Sequence, residues 1–363
     1  MKFKVPKSKL LDALNIVQNT VSAKITIPVL SNVLIEAQDN VLTLTTTDTN
    51  MTTRCKCEAE VEEEGAITLP VKKLTGIVRE LDDGIIYLKA DSSDFVQMKC
   101  GSYKSKINAL PVIDFPRPPT KDGGVSFTMS QELFRDMLKK THYAASVDDS
   151  RPVLNGVLLN FADGKLTCVA TDGRRLALYE TELDFPSENN KEVVLPSRAI
   201  GELLRVLEDK GDIEITIKET QLILEFSGIF FACKLLSGAY PNYKAVVFSS
   251  CANRIEINRE ELLAVLRRIA VSTTPTTNAM RLTFGNNLLN ITVTSNEVGE
   301  ANDTVAIKYD GEEISMIFNP EFMMDPLKNL TSDVIYIELN NSSSPGLIKS
   351  DIPFLYVIMP LRV

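Results

Sequence analysis

The chain has 363 residues, 44% hydrophobic and 24% charged, with 39 Lys and Arg against 48 Asp and Glu and a net charge of −9. That composition excludes a low-complexity scaffold, and at about 100–200 residues per domain the length predicts two or three domains. The acidic balance argues against a nucleic-acid binder, whose usual footprint is a basic domain, although net charge does not say where the charges sit.

Met1-Lys2-Phe3-Lys4 runs into charged sequence with no apolar core segment, so no secretion signal is expected. An alternating strand at 3–5 is followed by a helix over 8–17, then by a short strand at 42–44. A second strand and helix follow at 66–69 and 71–81, with another strand at 85–88. Turn-rich sequence at 118–124 closes this unit. The order then returns: strand 125–128, helix 131–140, strand 166–169, strand 192–195, helix 197–207, strand 213–217. After a polar stretch at 249–253 it returns again: strand 254–257, helix 259–269, strands 289–293 and 314–318, helix 320–330, strand 334–337. The longest apolar run, 354–361, is too short for a membrane helix and contains Pro360.

The repeat is visible in the residues themselves. Pro28-Val29-Leu30-Ser31-Asn32-Val33-Leu34 resembles Pro152-Val153-Leu154-Asn155-Gly156-Val157-Leu158, and Thr46-Thr47-Asp48 resembles Ala170-Thr171-Asp172, both at a shift of 124 residues. Leu69-Pro70 resembles Leu195-Pro196, and Phe115-Pro116 resembles Tyr240-Pro241. The expected architecture is α+β: three similar domains, at 1–120, 121–250 and 251–363, each with two helices packed on antiparallel sheets.

Apolar spacing buries one stripe of each helix and leaves basic residues on the other faces. These are Lys7, Lys9, Lys72, Lys73 and Arg79 in the first domain, and Arg135, Lys139, Lys140, Arg198 and Arg205 in the second. The third offers Arg259, Arg267, Arg268 and Lys328. Acids concentrate in expected strands and loops, as in Glu58 to Glu64, although Glu202, Glu260 and Glu261 lie on helices. The three segments carry net charges of 0, −4 and −5, so any basic surface is one face of an acidic body.

Motifs for phosphate loops, dinucleotides, zinc hydrolysis and nucleophilic serine are missing. The six cysteines form no CxxC, so neither disulfides nor zinc are expected, and a reducing cytoplasm fits. Cys55 and Cys57 read as packed thiols sharing a strand face, Asp148-Asp149 as a solvated pair, and His142 as a histidine without a partner nucleophile. No catalytic residue, metal or cofactor is expected. The rival readings are a β-rich hydrolase with paired carboxylates, for which the repeat offers no asymmetric acid pair, and a repeat protein that binds only other proteins.

Ala170-Thr171-Asp172-Gly173-Arg174-Arg175-Leu176-Ala177 and the C-terminal Tyr356-Val357-Ile358-Met359-Pro360-Leu361-Arg362-Val363 resemble the bacterial sliding clamp family, the beta subunit of DNA polymerase III. Leu110-Pro111, Asp114-Phe115-Pro116 and Leu154-Asn155-Gly156 share the likeness, which spans the chain. The resemblance implies a DNA clamp fold and a non-enzymatic processivity factor. A head-to-tail homodimer, each chain half of a closed ring, would encircle double-stranded DNA without sequence specificity. The replicative polymerase, the clamp loader and repair proteins would dock through short apolar motifs. An ATP-driven loader would open the ring, since the chain has no nucleotide motif.

The family's peptide pocket maps to Leu154, Thr171, Gly173, Arg175, Leu176, Pro241, Val246, Val357, Met359, Pro360, Leu361 and Arg362. Lys24 matches a family position near DNA, and the helix faces add Lys72, Lys73, Arg79, Arg135, Lys139, Arg198, Arg205 and Arg267. Ile107, Val271 and Ser272 match interface positions. Pro152 and Val153 replace aromatic residues of well-known members, and Arg174 and Ala245 replace a His and an Arg found in some.

Overall fold

The apolar periodicities become 6 helices and 25 strands among the described residues of a computed structural model, which are 1–21, 27–90, 95–183, 190–248, 251–274, 278–295 and 297–361. The first repeat runs β1 (Lys2–Pro6), α1 (Lys7–Val17), β2 (Asn32–Gln38), β3 (Val41–Thr47), β4 (Met51–Glu58), β5 (Glu60–Glu63), β6 (Gly65–Pro70), α2 (Val71–Glu80), β7 (Ile85–Lys89), β8 (Phe95–Cys100) and β9 (Tyr103–Asn108). The second runs β10 (Val125–Ser130), α3 (Gln131–Thr141), β11 (Gly156–Ala162), β12 (Lys165–Thr171), β13 (Arg175–Glu182), β14 (Lys191–Pro196), α4 (Ser197–Val206), β15 (Asp212–Ile217), β16 (Gln221–Phe226) and β17 (Ile229–Lys234). The third runs β18 (Asn253–Asn258), α5 (Arg259–Ala270), β19 (Met280–Gly285), β20 (Leu288–Ser295), β21 (Gly299–Lys308), β22 (Ile314–Phe318), α6 (Pro320–Asn329), β23 (Val334–Leu339), β24 (Gly346–Lys349) and β25 (Phe354–Ile358).

Local chemistry starts the helices where the spacing places them. Asn258 caps α5 by accepting from Glu261 N at 3.0 Å, with acids in the first turn and Arg267 and Arg268 in the last. Asn319 does the same for α6, accepting from Glu321 N at 2.9 Å ahead of Pro320. Leu10, Ala13, Leu14 and Val17 of α1 are buried at the same spacing as Leu262, Val265, Leu266 and Ile269 of α5.

Every sheet is antiparallel, and two of them cross from one repeat to the next. The strand orders are β5-β1-β7-β8-β9, then β10-β15-β16-β17-β4-β3-β2-β6, then a twelve-stranded sheet β14-β11-β12-β13-β25-β24-β23-β18-β21-β20-β19-β22. In the second sheet β4 pairs β17, with Cys55 opposite Ile229 and Thr52 opposite Ala232. In the third, β13 pairs β25, with Tyr179 opposite Phe354 and Leu176 opposite Val357. By its contacts the chain forms two bodies, residues 1–133 with 201–235 and residues 134–200 with 236–363. They cut across the repeats because the middle repeat gives strands to both shared sheets.

The Leu-Asn-Gly stretch has a packing cause. A Cβ on Gly156 would stand 2.3 Å from the Leu195 carbonyl oxygen, and the Asn155 carbonyl accepts from Ser197 N at 2.9 Å. Only glycine lets β11 lie this close to β14. Gly156→Ala should destabilise the protein by about 1–3 kcal/mol through overpacking, read as a lower urea midpoint with an unchanged slope.

Candidate functional site

The outward face of β11 to β13, β24 and β25 breaks the usual alternation of apolar inside and polar outside. Leu158, Val169, Leu176, Leu347 and Val357 form a buried apolar cluster with Val194 and Tyr243. Tyr240, Val247 and Phe248 pack on it from the segment after β17, and Leu178 and Leu355 continue it along the strands. At its rim Val246 and Met359 are each 42% exposed. Pro241 is exposed, and Pro360 and Leu361 are half-buried. The arrangement is a cleft with an apolar floor, suited to side chains of an extended apolar peptide. Beside it lies a cavity of about 370 Å³ lined by Asn160, Lys165, Leu178, Glu180, Tyr243 and Val247.

The Ala-Thr-Asp-Gly-Arg-Arg motif is a turn that delivers β13 to this cleft. Asp172 Oδ1 accepts from Arg174 N at 2.8 Å and Arg175 N at 3.0 Å. Thr171 Oγ1 accepts from Gly173 N at 3.1 Å and donates to the Arg175 carbonyl at 2.6 Å. Gly173 has φ +88°, which favours glycine. The first repeat builds the same turn: Asp48 Oδ1 accepts from Asn50 N at 3.0 Å and Met51 N at 2.8 Å, and Thr49 stands at φ +74°.

Arg175 is a brace at the site rather than an exposed pocket group. Its Nε donates to Asp172 Oδ2 at 3.1 Å, Nη1 to Asp325 Oδ2 at 2.5 Å and Nη2 to the Tyr143 carbonyl at 2.7 Å. The guanidinium carbon lies 4.2 Å from the Phe322 ring centroid. The strand β13 is thereby tied to α6 and to the turn after α3. Met359 N donates to the Arg174 carbonyl at 2.9 Å, and Leu361 N to the Ile317 carbonyl at 2.7 Å, which holds the C-terminal segment against the cleft. Leu154 and Thr171 are buried. Arg362, like Lys24, lies outside the described residues.

The expected basic residues divide into two groups. Lys72, Lys73, Arg79, Lys139, Arg198 and Arg267 are exposed on their helices, and Arg135 is half-buried. Among the described residues Lys72, Lys73, Arg79, Lys139 and Arg267 face no acid within ion-pair distance. Others are committed inside the chain, against the expectation from helix spacing. Arg205 donates to the Asn15 carbonyl at 2.8 Å and the Ile16 carbonyl at 2.9 Å, and pairs with Glu202 at 3.0 Å. Arg259 is buried and donates to the Ser332 carbonyl at 2.8 Å and the Leu327 carbonyl at 2.9 Å. Lys140 is buried against Asp136. Lys7 donates to the Leu81 carbonyl, and Lys9 pairs with Glu58 at 2.5 Å. Ile107 is buried, Val271 is 81% exposed and Ser272 is half-buried.

Among the described residues no three His, Cys, Asp or Glu side chains converge as metal ligands, and no helix is long and apolar enough to cross a membrane. Burial pushes the Cys55 thiol up to about 12 and the Cys57 thiol to about 11, which keeps both protonated at neutral pH. Burial also lowers His142 below the usual imidazole range.

Three family models cover the chain: the DNA polymerase III beta subunit N-terminal domain over residues 1–119, its central domain over 128–242 and its C-terminal domain over 246–362. The beta sliding clamp of Chlamydia trachomatis is 32% identical over 363 residues, 100% of this chain and 87% of that protein. That of Pseudomonas aeruginosa is 30% identical, with all of both chains covered. A crystal structure of the Bartonella birtlesii clamp bound to griselimycin superposes with a TM-score of 0.96 at 31% identity, covering both chains completely.

The Arg175 brace makes a quantitative expectation. Arg175→Ala leaves Asp325 with Lys328 at 3.3 Å but removes three charge-assisted hydrogen bonds, and should cost about 2 kcal/mol in urea denaturation. Arg175→Lys should recover little of it, since an ammonium cannot span three acceptors and a ring face.

Proposed function

Because this chain belongs to the bacterial beta sliding clamp family, the beta subunit of DNA polymerase III and a non-catalytic processivity factor of DNA replication, we propose that two copies close head to tail around duplex DNA. The observation that carries this is an unfinished repeat of strand pairing. β17 closes on β4 and β25 closes on β13 in the same register within the chain. The corresponding strands of the third junction are β9 and β21. Among the described residues β9 is an edge strand, and β21 meets β18 only through Ile307 and Lys308.

Carrying the register over puts Tyr103 opposite Asp303 of the partner subunit, Lys106 opposite the partner's Glu300 and Ile107 opposite the partner's Gly299. The Lys106 pair is a complementary charge on a seam whose counterparts are Ala232 with Thr52 and Val357 with Leu176. Val271 and Ser272, just beyond α5, would flank that seam.

The exposed residues Lys72, Lys73, Arg79, Lys139, Arg198 and Arg267, with Arg135, supply charge for phosphates. Such contacts carry no base information and exchange readily. Lys24 belongs to the same reading by its family position. The cleft of Leu176, Val246, Val357 and Met359 receives apolar peptide motifs of the polymerase, the loader and repair proteins, with Leu154, Thr171, Gly173, Pro241, Pro360 and Leu361 shaping it and Arg362 included by its family position. Arg175 supports it from behind.

Three measurements test this reading. Protein loaded on nicked circular DNA should stay bound and be lost when the circle is linearised; equal retention on both forms would sink enclosure. Deleting Met359 to Val363 should abolish polymerase stimulation while sedimentation still shows a dimer. Lys106→Glu should weaken the dimer about fivefold per seam, from like charges placed opposite each other, and Lys106→Glu with Glu300→Lys should restore it.

A further inference from the structure

The outward face of the sheet β5-β1-β7-β8-β9 is a lattice of lysines. The registers set Lys2 beside Lys89, Lys89 beside Gln97 and Gln97 beside Lys106. In the next row Lys4 stands beside Tyr87, Tyr87 beside Lys99 and Lys99 beside Lys104. The alternate positions Phe3, Ile86, Leu88, Val96 and Met98 are buried, so these side chains share the opposite, solvent face. A groove of about 720 Å³ lies over them and is lined also by Phe95.

One edge of the lattice is neutralised. Lys2 pairs with Glu62 at 2.6 Å, and Lys4 pairs with Glu60 at 2.8 Å and Glu62 at 2.9 Å, both on β5. The other edge is not: among the described residues Lys99 and Lys104 have no acidic partner, although they stand directly opposite each other. Like charges in opposed positions destabilise a sheet. The fold does not require them either. The same positions of the middle repeat hold Glu225 and Phe230, and Lys121 bridges Glu214 and Glu225 at 2.5 and 2.8 Å. In the third repeat they hold Lys349 and Leu355, the latter packed on the apolar cluster of the cleft.

We propose that this face binds single-stranded nucleic acid through Lys99, Lys104 and Tyr87, as a contact separate from the helix faces, with Lys106 left to the seam of the proposed dimer. Two features favour a nucleic-acid strand over an acidic peptide. Tyr87 is 45% exposed amid the lysines, so a ring is available for a base as ammonium groups are for phosphates, while the Phe95 ring already holds the Lys106 ammonium at 3.3 Å. A sheet face also offers no main-chain hydrogen bonds, which are the usual source of affinity for an extended peptide.

The test is fluorescence anisotropy of a labelled 20-nucleotide oligo-deoxythymidine with the full-length protein across a salt series. Lys99→Gln with Lys104→Gln should weaken binding at least fivefold and reduce the salt slope by about 1.4, at about 0.7 per lost phosphate contact. Tyr87→Ala should weaken it about fivefold or more through lost stacking. Lys56→Gln with Lys210→Gln, exposed lysines outside this sheet, should leave it unchanged, and every variant should keep a cooperative thermal transition. No binding by the wild-type protein at low salt, or equal binding by the Lys99 and Lys104 variant, overturns the proposal. So does equal competition by oligo-glutamate combined with no effect of Tyr87→Ala, which would assign the face to an acidic peptide.

Discussion

An antiparallel strand at the edge of a sheet exposes main-chain donors and acceptors that must be matched. In this chain the demand is met by the neighbouring repeat. β4 is completed by β17 and β13 by β25, so each shared sheet is continuous in hydrogen bonding from one repeat into the next. The turn at Asp48 and its copy at Asp172 aim the accepting strands, and Arg175 braces the second junction through Asp325. The cleft depends on that same junction, because its floor takes Leu176 from one side and Val357 from the other.

Most of the fold was legible in the residues. The apolar spacing of α1 and α5, the Leu-Pro pairs ahead of α2 and α4 and the recurring Thr-Asp turn all act locally, so a linear reading finds them. The cleft was legible only through the resemblance. Leu178, Tyr243, Phe248 and Leu355 look like ordinary strand and loop residues until two distant strands meet. Charge was the hardest to read. Arg259 and Arg205 have the same spacing as exposed helix cations, yet both spend their donors on carbonyls of other elements. The lysines of the first sheet are not legible as a group in the residues, because a period of two scatters them through apolar sequence and only strand register gathers them.

The net charge of −9 therefore describes neither surface of interest. Exposed cations collect on helix positions such as Lys72 and Lys73 and on the outward strands of the first sheet. Acids such as Glu60 and Glu62 neutralise Lys2 and Lys4 beside them and leave the field around Lys99 and Lys104 in place.

Among the described residues β9 has a neighbour on one side only, and an uncovered strand invites the wrong neighbour. Lys104 and Lys106 make self-addition of identical strands repulsive, while an acidic strand remains welcome. By contrast β17 and β25, which find their mates within the same chain, carry Phe231 and Val357 and can be apolar without hazard. Which strands of the repeat are allowed to be greasy is thus a record of which ones never have to wait in water.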